Sequence, residues 1–404
     1  MTKPSMTDCL IIGAGPTALA MARALQIRGV TMALCGTLPP QDPSVPDMRT
    51  AALFLGSIRL LERLDAWQHA RPSAEPIRAI RIVDSTGRLL RAPEQTFTAT
   101  AVHEDAIAFN VPNPALVDAL VKTLDGDLPE ERSNIDLGAH VVAVTVEADH
   151  VAAELADGTF RRARLAIAAD GRRSITREAA AISCRTWDHG QAAITAHIDH
   201  ELPHQGVSTE IHMRTGPCTV VPLSGNRSSL VWMDERSAAS ERAALSDAQF
   251  IRTLESCLEG LLGPIQTTTP RRIFPLSMLL AERFAGNRVA LIGETGHAFP
   301  PIGAQGLNLG LRDVASLADH LADAKAAGLD PGSPAVLQAY SNDRRGDVLA
   351  RTYGVDAFNR SLSGRAAGLL RGAILHATKA SPAFKTFLLE RGMQPVGKWP
   401  SMMA

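Results

Sequence analysis

Three glycine-centred segments, widely separated in this 404-residue chain, each place backbone N–H groups, suited to a bound anion, or an acidic side chain, suited to a sugar-type hydroxyl. The first is Gly13-Ala14-Gly15-Pro16-Thr17-Ala18, and the second is Asp170-Gly171-Arg172-Arg173-Ser174. The third runs from Gly293 and Glu294 through His297, Pro300, Pro301 and Gly303 to Gly306-Leu307-Asn308.

The flanking residues show which elements position these groups. Cys9-Leu10-Ile11-Ile12 is a short, wholly apolar run, as in a parallel strand buried on both faces, and the Ala- and Leu-rich stretch from Pro16 to Arg28 reads as a helix. In that strand–turn–helix setting Gly13 permits the tight turn and Gly15 admits a pyrophosphate. Ala18, in place of a third glycine, still allows close helix–strand packing. The strand from Val30 to Leu34 leads to the position where a ribose-binding carboxylate normally stands, and Cys35 occupies it. Without that charge-assisted hydrogen bond, worth about 1.5–3 kcal/mol, a looser hold on the cofactor is expected.

Strands at His140 to Glu147 and Val151 to Leu155, joined by a turn at Ala148-Asp149-His150, precede the buried run Leu165 to Ala169. Asp170 then suits either a ribityl or water-bridged pyrophosphate contact or the capping of a helix that begins at Ser174 and Arg177. Arg288 to Ile292 is a further buried strand. Pro300-Pro301-Ile302-Gly303 stiffens the loop before a helix opening at Gly306, whose N-terminus can face a negatively charged ring. His297 reads either as a loop histidine bonded to backbone or as a group that orients a substrate phenol.

Composition excludes several classes of function. The 41 basic and 42 acidic side chains nearly cancel, so no global field points to nucleic acid. Cys9, Cys35, Cys184, Cys218 and Cys257 show neither disulfide-frame nor metal-ligand spacing, and no metal is expected. The N-terminal apolar run is too short for a signal peptide, and none approaches the ~18 residues of a spanning helix. A cytoplasmic protein is expected.

GAGPTA, AADGRRS and GETGHAFPPIGAQGLNLGLRDV resemble the three fingerprints of the class A flavin monooxygenases. Asp47-Met48-Arg49-Thr50 with the run from Gly56 to Leu64, Pro222-Leu223-Ser224 with Ser229 to Trp232, and Tyr340, Arg344-Arg345, Asp347, Asp356 and Phe358 resemble, more narrowly, the ubiquinone-biosynthesis hydroxylases. The likeness covers nearly the whole chain. It implies an α/β fold: a Rossmann-like FAD-binding domain of the para-hydroxybenzoate hydroxylase kind, an antiparallel β-sheet substrate domain and a C-terminal helical tail.

It also implies FAD as cofactor, NAD(P)H as electron donor and molecular oxygen as co-substrate, with a flavin C4a-hydroperoxide hydroxylating a polyprenylated phenol. By position, Gly13, Gly15, Pro16, Thr17, Ala18, Cys35, Arg49, Asp170, Gly171, Gly293, Glu294, Pro301, Gly303, Gly306, Leu307 and Asn308 would surround the cofactor, and His297 and Pro300 would lie near the flavin. Glu294 stands where the family has aspartate.

The expected division is an FAD-binding domain from residues 1–72, 105–181 and 276–355, a substrate sheet from 73–104 and 182–275, and C-terminal helices from 356–404. Alternating stretches at Ile77 to Val83, Ala192 to Ile198, Ser208 to His212 and Thr219 to Val221 supply the sheet. Low aromatic content suggests an aliphatic pocket. In the tail, Leu369, Leu370, Ala373, Ile374 and Ala377 form one apolar stripe, and Phe384, Phe387 and Leu388 another after Ser381-Pro382. From Ala357 the basic residues Arg360, Arg365, Arg371, Lys379, Lys385, Arg391 and Lys398 face a single acid, Glu390. Such helices suit peripheral contact with an anionic inner membrane, or packing on the enzyme or on a second copy in a homodimer. Two other functions fit the same residues: hydroxylation of a soluble aromatic acid, and a weakly active flavoprotein scaffolding a quinone-biosynthesis complex.

Overall fold

The computed structural model describes residues 6–38, 47–87, 93–124, 133–363 and 376–404. Five parallel strands form its centre, in the order Val289–Leu291, Phe160–Ala168, Thr7–Ile12, Met32–Cys35 and Ser133–Asp136. The apolar run Cys9 to Ile12 lies in the middle, buried on both faces as its composition requires. The helix Pro16–Ile27 follows and packs against Asn113–Leu124 and Gln305–Ala326. The strand Phe160–Ala168 changes character along its length: its first residues alternate in exposure where they pair with Val151–Leu155, and its last are wholly buried between parallel neighbours. This is the α/β Rossmann-like layer.

A second, mixed sheet runs in the order Ile265–Thr268, Gln191–His200, Arg227–Glu235, Pro217–Leu223, Val207–His212, Ala79–Asp84 and Gln95–Thr98, with Arg272–Pro275 also on Gln191–His200. One face is covered by the helix Asp247–Leu258, whose Phe250, Leu254 and Leu258 meet Ile194, Leu230 and Trp232. A capping box between Ser246 and Gln249 starts that helix. An all-antiparallel sheet is the expectation from sequence, and one pair departs from it: Val207–His212 lies parallel to Ala79–Asp84. The two strands are joined through more than a hundred residues, so no hairpin constrains their direction. The expected strand from Ile77 to Val83 is also divided at Arg78, whose N–H donates to Gly206 O.

Two expected divisions fall inside continuous structure. Glu75–Ile77 pairs with Ala108–Pro112, which also pairs with Thr50–Phe54, so this small sheet carries strands from both sides of the break at 72/73. The helix Pro334–Ser363 runs unbroken across 355/356. Near its end Asp356 accepts from Trp187 Nε1 at 3.0 Å, and His189 Nε2 stands 2.8 Å from the same carboxylate.

Leu369, Leu370, Ala373 and Ile374 of the first expected tail stripe lie outside the described residues, and Ala377 is exposed. In Pro382–Met393, capped by Ser381, the inward face is Leu389 with Met393, not Phe384, Phe387 and Leu388. These two residues pack on Phe97, Ile107 and Val102, and this apolar surface sets the helix's rotation, leaving Phe387 exposed. No helix among the described residues is long and apolar enough to cross a membrane.

Backbone contact at the first turn sets the sharpest steric limit. Gly13 holds φ at +129°, and a Cβ on Gly36 would fall 2.4 Å from the Gly13 carbonyl carbon. Nothing lies within 4 Å of a Cβ placed on Gly15. Gly36→Ala should therefore lower unfolding stability by about 2–3 kcal/mol or more in urea titrations, whereas Gly15→Ala should change it by less than about 1 kcal/mol. Equal losses would contradict this contact map.

Candidate functional site

The first turn and the third segment meet at one end of the central sheet. Gly15 precedes the helix Pro16–Ile27 with no side-chain cap, Pro16 sits in its first turn, and open space lies beside Gly15. Ala18 is fully buried against the sheet, while Thr17 packs against Gly293 and Gly310 and so spaces the two segments. The helix Gln305–Ala326 also starts without a side-chain cap, after Ala304 in a left-handed conformation. Pro301, Gly303 and Gly306 are exposed at its mouth, and Pro300 is buried behind them.

Asn308 Oδ1 accepts from Phe54 N at 2.9 Å and Ser57 Oγ at 2.8 Å, while Nδ2 donates to Ala52 O and Ala304 O. Its side chain is thus fully used in pinning the helix to the strand Thr50–Phe54. Along Gly306-Leu307-Asn308 only backbone remains for a ligand. Two uncapped helix N-termini facing open space, with glycines where a side chain would intrude, fit an FAD pyrophosphate and an electron-rich ring.

Other expected contacts are engaged differently. Asp170 accepts from Ser174 Oγ at 2.6 Å, Thr176 Oγ1 at 3.0 Å and Thr176 N at 3.2 Å, so its carboxylate organises the start of Ile175–Ala179, and Gly171 leaves open space beside it. Glu294 is exposed, 3.5 Å from Arg172 Nη2. Arg49 makes a two-pronged contact with Asp47 at 2.8 and 2.7 Å and lies 5.5 Å from the Phe274 ring centre. Burial works against the ionised form of Asp47, but its bonds to Arg49 more than offset this and hold its carboxyl below the ordinary range. Cys35 is wholly buried, which pushes its thiol up to about 11, so it offers nothing to a ribose. Asp136, its register partner on the neighbouring strand, is the nearby carboxylate.

His297 differs from the expected backbone-bonded loop histidine. It is buried, with Nε2 2.6 Å from Asp313 Oδ2. Asp313 also accepts from Gly293 N and from Arg344 Nε, both at 2.9 Å. Arg344 continues to Asp347 at 3.1 Å, which Arg312 meets at 3.2 Å. Burial alone would raise the Asp313 carboxyl, yet His297 and Arg344 keep it below its ordinary range. Asp347 is likewise held low by Arg312 and Arg344 against its burial. The motif residues Arg344 and Asp347 are visible in sequence, but their connection to His297 through Asp313 is not, because it joins positions dozens of residues apart.

A cleft of about 170 Å³ lies between Phe54, Leu55, Gly56 and Arg59 on one wall, Val102 and Glu104 on another, and Glu390, Met393, Gln394 and Trp399 from the tail. Phe54 and Trp399 make it partly aromatic. The tail residues contribute a third wall that no motif marks.

The FAD binding domain family matches residues 6–351, a span holding all three glycine segments. The chain is 36% identical over 363 residues to the ubiquinone hydroxylase UbiL of Rhodospirillum rubrum, covering 89% of this chain and 82% of that protein. It is 26% identical over 361 residues to the 3-demethoxyubiquinol 3-hydroxylase of Escherichia coli, covering 88% and 90% respectively. Among solved structures, p-nitrophenol 4-monooxygenase PnpA from Pseudomonas putida DLL-E4 superposes with a TM-score of 0.78 at 19% identity, over 98% of this chain and 100% of that one, a likeness of fold.

The buried ion network generates two expectations. Asp313→Asn leaves Arg344 and His297 without their shared carboxylate and should cost about 3–5 kcal/mol in urea unfolding; a loss below about 1 kcal/mol would show the pair to be neutral in balance. Because the Asp313 and Asp347 carboxyls are lower in the folded state than in the unfolded one, their contribution is complete above the unfolded carboxylate value near 3.9. It should fade as pH falls through the folded values, seen as a stability loss below about pH 4 that is smaller in Asp313→Asn.

Proposed function

We propose, for a chain that belongs to the FAD-binding-domain family and is one of its hydroxylating monooxygenases, that the substrate is a polyprenylated phenol of ubiquinone synthesis. The observation that carries this reading is the match to ubiquinone hydroxylases along most of the chain, combined with two helix N-termini that have no side-chain cap and open space beside Gly15 and Gly306. FAD is the cofactor, and when bound it supplies the oxygen-activating redox chemistry, with NAD(P)H as the source of electrons. An aromatic substrate and molecular oxygen are the other reactants.

The residues of the chain bind and orient. In this reading the N–H groups after Gly13 and Gly15 hold the pyrophosphate, and those of Gly306, Leu307 and Asn308 face the ring system and favour its anionic form through the helix dipole. Arg49, Glu294 and Asp170 stand around the connecting ribityl segment, Asp170 chiefly by shaping the turn. The rigid Pro300-Pro301 loop and the second sheet exclude water from the reacting ring.

Exposed Phe387, with the Arg391 guanidinium 5.4 Å from its ring centre, supports a peripheral contact with the membrane that stores such a substrate. Flotation with anionic vesicles should then fall on Phe387→Asp. If the intact protein does not float, the substrate is passed on within a quinone-biosynthesis complex or a dimer instead.

The purified protein should carry or take up FAD noncovalently, and Gly15→Ala should weaken that uptake. With NAD(P)H and oxygen-18 gas, the new hydroxyl on a prenylated phenol should carry the label. Label from water would exclude oxygen insertion from the gas, and turnover of hydroxybenzoate alone would assign the soluble-acid reaction.

A further inference from the structure

Asn110 lies fully buried on the strand Ala108–Pro112, where the small sheet faces the second sheet. Its Nδ2 donates to Pro222 O at 2.8 Å. A backbone carbonyl only accepts, so this bond fixes which way the amide points. Asn110 Oδ1 is then a buried acceptor with no partner among the described residues. Such a group costs about 1–3 kcal/mol when left unpaired, and an atom of this kind beside a reaction site is an argument for a ligand donor.

Its surroundings are mainly apolar. Strand pairing sets Asn110 opposite Ala52 on one side and Glu75 on the other, and places Ala108 opposite Phe54 and Ile77, so these side chains share a face. On that face Phe54, Ile77 and Ala108 cluster with Val221 of the second sheet, Ala304 of the flavin loop and Met393 of the tail. Phe54 and Met393 also line the cleft, so both belong to the cleft wall and to the apolar cluster beside Asn110.

The tail backbone here is held firmly. Arg312 Nη2 donates to Met393 O at 2.6 Å, Gln305 Nε2 to Gly392 O at 3.2 Å, and Arg351 Nη1 to Gly392 O at 2.9 Å. Arg351 also donates to the Arg391 and Gln394 carbonyls, and Asp347 accepts from Val396 N. With its main chain clamped, Met393 can open or close the passage only by its flexible side chain.

We propose that Asn110 and the Met393 cleft form one binding site for a phenol bearing an apolar chain, the phenol O–H donating to Asn110 Oδ1 and the chain leaving past Met393. This rests on the hydroxylase reading above and deepens it. A chainless phenol would use only the Asn110 end.

The test uses the FAD-loaded enzyme and reads dissociation constants from the perturbed flavin spectrum, with 2-geranylphenol, geranylbenzene and phenol as probes. Wild type should bind 2-geranylphenol about tenfold or more tightly than geranylbenzene, since the latter leaves Asn110 Oδ1 unpaired, and Asn110→Ala should shrink that ratio toward one. Met393→Trp, or Val102→Trp from the facing wall should Met393→Trp not fold, should lower the preference for 2-geranylphenol over phenol about tenfold. Ratios unchanged by these variants, in an enzyme that binds and hydroxylates 2-geranylphenol, would overturn the site while leaving the proposed function standing. An enzyme that binds none of the chain-bearing probes would remove both.

Discussion

Asp313 and Asp347 are carboxylates without access to water, and the surrounding elements are arranged to keep them ionised. Asp313 draws in Gly293 N, His297 and Arg344; Asp347 draws in Arg344, Arg312 and Val396 N. Through these two side chains the segment from Gly293 to His297, the helices Gln305–Ala326 and Pro334–Ser363, and the C-terminal segment become one unit. A buried carboxylate that lost these partners would carry a desolvation cost of several kcal/mol, so the elements that supply them cannot drift independently.

This coupling gives the tail a place in the site. Arg312 reaches Asp347 with one nitrogen and the Met393 carbonyl with another, so the charge that stabilises the helix pair also fixes the cleft wall. Gln305 performs a similar bridge from the flavin loop, binding Gly303 O and Gly392 O. The cleft wall and the loop before the helix Gln305–Ala326 are therefore mechanically linked within a few residues. Trp399 packing over Gly56 extends the tail's grip to the helix Leu55–Arg63.

At the opposite side of the trench the governing constraint is steric. Gly13 and Gly36 allow three backbone segments to touch, which brings the strand end, the helix start and Ala169 together with no side chain between them. Three of the polar side chains expected at the site are turned to structural tasks: Asn308 to the strand Thr50–Phe54, Asp170 to Ser174 and Thr176 at the start of the helix Ile175–Ala179, Arg49 to Asp47. The site thus offers mainly backbone to its cofactor.

The local pattern of residues was sufficient for what depends on neighbours in the chain. Apolar runs ending in glycine marked the buried parallel strands around Cys9, Leu165 and Val289, and proline or an uncapped glycine marked the helix starts at Pro16 and Gln305. Those features repeat a local physical rule, so they are legible without the fold. The tertiary structure alone decided the partners of buried polar atoms: Asp313 with His297, Asn110 with Pro222, and the tail carbonyls with Arg312 and Arg351. It also decided which face of the last helix turned inward, because Leu389 and Met393 were selected by a surface built from residues near position 100. Hydrogen-bond complementarity and apolar fit between distant segments have no periodicity along the chain, and only the assembled sheets bring such groups within reach.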